Sequence, residues 1–169
     1  MFDFTMIGPF SLKAGLIYAT ILAILIVGSV WFNAEMWLND YPPDIKAKFG
    51  PMSQRTKRQR NWLTLLVMPL MFGGPLVAVW QLSKQIGDVG FAAAFLCSFI
   101  VFFFFNLVDL FLLDWLMFIV IQPRFAILPG TEGMAGYQDY AFHFRGFLIG
   151  MIFCLVGSII VGGLGALIW

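Results

Sequence analysis

The chain has 169 residues, of which 61% are hydrophobic and only 11% charged, with a net charge of +1 and a mean hydropathy of +0.91. Soluble domains carry about a quarter charged residues, so this composition excludes a water-soluble globule and places the chain in the membrane class. A near-neutral balance offers no basic face to nucleic acid. Two cysteines in apolar runs, Cys97 and Cys154, with no C-x-x-C, disfavour a disulfide framework or a thiol redox enzyme.

A helix needs about 20 apolar residues to cross a hydrocarbon core of roughly 30 Å. The length therefore leads us to expect a single transmembrane domain, 1–169: an all-α, four-helix transmembrane bundle with short links. The first span is expected over 14–37, beginning after Gly8-Pro9, which should break any earlier helix. Its aromatic and polar end, WFNAEMWLND, suits a membrane interface, where Trp is enriched. It reads as a retained span rather than a secretory signal. Only Lys13 precedes the apolar run as a cation, and Phe32-Asn33-Ala34 lacks the small first residue of a cleavage site.

The connection 39–61 is punctuated by Pro42-Pro43 and Gly50-Pro51 and carries six cations against Asp40 and Asp44. Within it Arg55, Lys57, Arg58 and Arg60 form a basic run. Such a run recruits anionic lipid headgroups at about 1 kcal/mol per cation, or serves topology alone. The second span, 62–82, contains Pro69 and Gly73-Gly74-Pro75. Broken membrane helices expose carbonyls that transporters use as binding groups, here those of Phe72 and Gly73; the alternative is a plain kink whose freed groups are satisfied by neighbours. A tight turn, KQIGDVG, leads to the third span, 90–117. The second long connection, 122–145, is rich in Gly and aromatic residues and is expected to fold over the end of the bundle. The fourth span is 146–168.

The two long connections hold eight of the ten Lys and Arg, leaving Lys13 and Lys84 for the other side. The positive-inside rule makes those connections cytoplasmic and both termini external, in an integral protein expected in a bacterial cytoplasmic membrane.

Ionisable residues gather at one depth. At about 1.5 Å per residue, Asp109 lies about 27 Å and Asp114 about 35 Å along the third helix from Phe91, and Glu35 about 30 Å from Gly15. All three reach the cytoplasmic edge of the core. Glu35, Asn106, Asp109 and Asp114 are thus the candidate ion or proton site, since ionisable groups at membrane depth are costly and commonly functional. The bland reading pairs Glu35, Asp109 and Asp114 with Arg60, Arg124 and Arg145. On an ideal α-helix Asp114 is rotated about 140° from Asp109, so the two should not serve one partner. Instead Glu35 would join Asp109, and His143 would approach Asp114. His143, Asp114 and Glu132 are the candidate catalytic groups, but no paired metal-ligand motif accompanies them and no metal is expected. The sequence names no cofactor.

Along the last helix Gly146, Gly150, Cys154, Ser158, Gly162 and Ala166 recur every four residues. Such a stripe lets backbones approach closely in lipid. It serves either the bundle or a second copy. With the lipid bilayer as the obligatory partner, three functions remain. The first is a non-catalytic subunit or partner-binding component of a membrane complex, or a homo-oligomer. The second is a cation- or proton-coupled transporter or channel using Asp109 and Glu35, and the third a membrane-embedded enzyme with a cytoplasm-facing site.

Overall fold

The computed structural model describes residues 4–169. Their regular structure is entirely helical: α1 (Phe4–Phe32), a 3-10 segment (Ala34–Asp40), α2 (Pro43–Phe49), α3 (Gln54–Ile86) and α4 (Phe91–Val108). α4 continues unbroken as a wider π-helix (Asp109–Ile121); two short 3-10 turns (Arg124–Ala126 and Ala135–Gln138) then lead to α5 (Tyr140–Ile168). Four helices are long and apolar enough to cross a membrane: α1, α3, α4 with its π extension, and α5.

α3 and α5 each begin ahead of their apolar stretch because a polar residue caps them there. Ser53 begins α3 by accepting the amide of Thr56 at 3.2 Å, so the run Arg55 to Arg60 is helical rather than part of a loop. Asp139 begins α5 by accepting the amide of Phe142 at 2.8 Å, which puts His143 and Arg145 on the helix. Gly8-Pro9 does not break α1, which runs through Pro9. Proline is tolerated inside apolar membrane helices, where neighbouring groups and local adjustment of the helix re-satisfy the backbone. α1 stops at Phe32, short of Trp37, because Asn33 adopts an extended backbone and its side chain accepts from the amide of Glu35.

α4 is the most enclosed of the four helices and α3 the least. The buried face of α4, including Ala94, Cys97, Ser98 and Val101, receives the small residues of α5. Ser158 is fully buried; Gly162 lies against the backbone of Phe95, Gly157 against the Phe102 ring, and Gly150 against the Asn106 amide. The stripe therefore joins two helices of one chain. Gly146, expected to belong to it, has no neighbour near its missing side chain and is exposed.

The kinked segment of α3 also has a structural account. Pro75 has no N–H, so the carbonyl of Met71, four residues back, loses its helical donor. The Tyr18 hydroxyl of α1 supplies one at 2.9 Å, and its ring lies where a side chain on Gly74 would stand. The carbonyl that Pro75 frees is thus that of Met71, not those of Phe72 or Gly73, and it is satisfied.

At one end of the helices the two long connections build a second small core from Val30, Leu38, Tyr41, Ile45, Leu128 and Tyr137, among others. The Tyr41 hydroxyl donates to the carbonyl of Ala126 at 2.7 Å, and the Gly136 amide donates to Asp44 at 3.0 Å. We call this the cap. At the opposite end the Val89 amide donates to the carbonyl of Trp169 at 3.3 Å, beside the turn between α3 and α4.

Filling the α4–α5 contact should cost stability. Gly150→Leu drives a side chain into the Asn106 amide and is expected to destabilise by about 1–3 kcal/mol, read as a lower unfolding temperature in detergent. Gly163→Ala, which meets nothing within 4 Å, should hold that temperature or raise it slightly, since alanine is the better helix former.

Candidate functional site

Five charged or titratable side chains from every apolar helix but α1 converge beneath the cap. Asp40 ends the 3-10 segment, Arg60 lies in the second turn of α3, Asp109 stands where α4 widens, Asp114 follows within the π-helix, and His143 is in the first turn of α5. The widening decides the arrangement. In a π-helix each carbonyl bonds five residues ahead, as the Gln122 amide does with Met117 at 2.9 Å. Asp114, five residues after Asp109, therefore returns to the same side instead of being rotated away as in an α-helix. Asp114 is the foremost charged neighbour of Asp109, followed by His143 and Asp40.

The partners differ from the arginines expected. Asp114 Oδ1 meets His143 Nδ1 at 2.9 Å, the one ion-pair contact among the described residues. The His143 ring stands edge-on to Phe142, with centroids 5.4 Å apart. Arg145 turns back to donate to the carbonyl of Ala141, and Arg124 is exposed. The Asp109 carboxylate has no hydrogen bond or ion pair with any described residue. Crowding by protein raises the Asp40 carboxyl above the usual aspartate value against the pull of the Lys46 ammonium; Asp114 adds to the rise and Arg60 opposes it.

Asp40, Arg60 and Asp109 share a half-open cleft of about 320 Å³ between α1, α3 and α4. Its floor and walls are apolar and rich in methionine: Leu22, Met36, Val67, Met68, Met71 and Phe105. Thr64 and Met68, on the outer helix α3, are exposed, so the cleft communicates with the surroundings of the helices between α1 and α3. Aromatic and methionine walls with a few convergent polar groups are the usual make-up of a small-molecule site. A second, larger groove of about 670 Å³, between α1 and the π-helix, is lined by apolar residues such as Ile24, Val27, Leu116 and Ile121.

Several expected site residues lie elsewhere. Glu35 does not join Asp109. It accepts from the amide of Ser53 and, at 2.6 Å, from the hydroxyl of Thr56, a carboxylate placed on the positive end of α3. Asn106 is turned toward α5: its amide donates to the carbonyl of Phe147 at 3.1 Å. Glu132 is exposed and accepts from the Gly130 amide in its own turn; bonds from its own amide and that of Gly130 hold its carboxyl below the usual value. It takes no part in the cluster with His143. In the basic run, Arg55, Lys57 and Arg58 are exposed, whereas Arg60 turns into the cleft. Asp40 and Tyr18 were not singled out from sequence, because a loop aspartate and a helix tyrosine carry no pattern. Among the described residues no three His, Cys, Asp or Glu side chains are gathered as a metal site.

Desolvation raises the Glu35 carboxyl, but the hydrogen bonds from Ser53 and Thr56 together outweigh it and hold its pKa below the ordinary value. A carboxyl lowered in the folded state contributes stability above its unfolded pKa of about 4.3. That contribution is lost as pH falls through the lower folded value. Glu35→Gln should therefore lower the unfolding temperature at neutral pH and narrow its gap to wild type in acid, as read by thermal scans at a series of pH values. No protein-family model, curated protein or solved structure matches this chain.

Proposed function

We propose that the protein is a non-catalytic binding component of a membrane assembly, with its cap in the cytoplasm and both termini outside. The orientation rests on charge, eight Lys and Arg on the long connections against two elsewhere. The binding role rests on one observation. Asp109, at the edge of an apolar helix, faces a half-open cleft with no partner of its own, and a lone carboxylate at membrane depth is costly unless something completes it. Binding is preferred to catalysis because Glu132, the third candidate catalytic group, bonds within its own turn and does not join the Asp114–His143 pair.

A second reading, cation- or proton-coupled transport, is favoured by the succession Asp109, Asp114, His143, which leads from the cleft to the start of α5 beneath the cap. It proceeds without Glu35, which caps α3. Away from the cap, Val79, Leu82, Ala94, Cys97 and Val101 are fully buried against one another, and that close packing favours binding over conduction.

Both native cysteines are buried, so introduced cysteines report orientation cleanly. Glu132→Cys should react with a membrane-impermeant maleimide only in inside-out vesicles and Asp88→Cys only in right-side-out ones; the reverse pattern would overturn the orientation. Native mass spectrometry of protein taken from its own membrane should find a foreign chain or retained small molecule. A bare chain would count against binding. Asp109→Asn should leave proton and cation flux in proteoliposomes at the background level shared with wild type, whereas flux abolished by that substitution would establish the transport reading instead.

A further inference from the structure

The cleft combines two chemistries that few ligands match together. Its lining holds one guanidinium, Arg60, and two carboxylates, Asp40 and Asp109, together with the Thr64 hydroxyl, which donates to the Arg60 carbonyl at 3.0 Å. Below them the lining is a slot of Leu22, Ile26, Leu63, Val67, Met68 and Met71. The charged end lies level with the basic first turns of α3, which their charge suits to a membrane interface, and the lining residues Leu63, Val67, Met68 and Met71 run from there toward the middle of α3. α3 is the least enclosed of the four helices, and Thr64 and Met68 on its flank are exposed, so entry is lateral, from the bilayer.

We infer that the cleft holds a phospholipid whose headgroup ends in a primary amine. Arg60 takes the phosphate, Asp109 and Asp40 take the ammonium, and the methionine-lined slot takes the first part of one acyl chain. The inference rests on the binding role proposed above and names its ligand. Charge order supports it. A guanidinium suits phosphate oxygens, and an ammonium presents three donors to carboxylates that lack them. A trimethylated ammonium has no N–H to give, and a glycerol headgroup has no positive charge. A cleft of about 320 Å³ is small for a binding pocket, enough for a headgroup and adjoining methylenes while the remaining chain stays in the bilayer. Methionine walls adapt to a flexible chain better than branched residues do.

The test uses the full chain in nanodiscs of equal parts phosphatidylethanolamine, phosphatidylcholine and phosphatidylglycerol, released in native mass spectrometry, with the retained lipid counted. Retention of the ethanolamine lipid should exceed each of the others by about tenfold, the scale of one charge-assisted hydrogen bond. Asp109→Asn and, at the exposed rim, Asp40→Asn should each remove most of that preference while retaining some phospholipid. Arg60→Gln should reduce retention of all three. Circular dichroism melts confirm that each variant is folded. Equal retention of the three lipids by wild type, or a preference unchanged in both aspartate variants, would overturn the lipid assignment. Spermidine added to the same sample separates the two claims: a retained polyamine without lipid preference sinks the lipid and leaves the binding role, whereas retention of neither sinks the lipid and leaves the binding role to stand or fall on the spectrum of protein taken from its own membrane.

Discussion

Between apolar helices in lipid there is little hydrophobic gain from association, so helices must come near enough for backbone atoms to touch. In this protein that constraint is met chiefly between α4 and α5. Glycines 150, 157, 162 and 165 and Ser158 leave out the bulk that would hold the helices apart, and the Asn106 amide fills part of the vacated space with a bond to the carbonyl of Phe147. α1 follows the same logic at Gly15, against Phe104 and Val101. α3 is fastened differently, by the Tyr18 hydroxyl on a carbonyl that proline has stripped of its donor. Toward the cap α3 is fastened again, by Asn33 to Gln59 and by Glu35 to Ser53 and Thr56, and the cleft opens between these two anchorages.

The widening of α4 at Asp109 links this scaffold to the chemistry. Wide turns in membrane and soluble helices are mostly single and sit near functional positions; here thirteen residues adopt that form. Its effect is to gather what an α-helix would scatter. Asp109 and Asp114 come to one side, His143 reaches the second of them, and the first is left to the cleft. Polar groups that are paired become framework. The unpaired one is where a ligand gains most, since completing a bare carboxylate yields a charge-assisted bond at no loss of an existing partner.

Composition and the length of the apolar runs made the four helices legible, because a long apolar run has few other folds available to it. The helix limits were less so, as they are set by single capping residues, Ser53 and Asp139, outside the apolar runs. Depth counting placed the acidic residues on one level, and the approach of His143 to Asp114 followed from it. Two things were hidden. The angle between Asp109 and Asp114 depended on a helix type that hydropathy does not encode, and the fate of Glu35 and Asn106 depended on neighbours far along the chain, Ser53, Thr56 and Phe147. The small-residue stripe was visible, but whether it met its own chain or another was a question of tertiary packing.

The cap bears on how the protein is made. Its two cross-links, Tyr41 to Ala126 and Gly136 to Asp44, join residues 85 and 92 positions apart, with α3 and α4 in between. Contacts of such separation form late, after the intervening chain has been ordered. During synthesis the first connection must therefore wait, with its half of the apolar core uncovered, until two further helices have entered the membrane and the second connection has emerged. Closure of the cap is then a record that α3 and α4 have entered, while the cleft, lined from Leu22 to Asp109, is complete in the chain before the second connection is made.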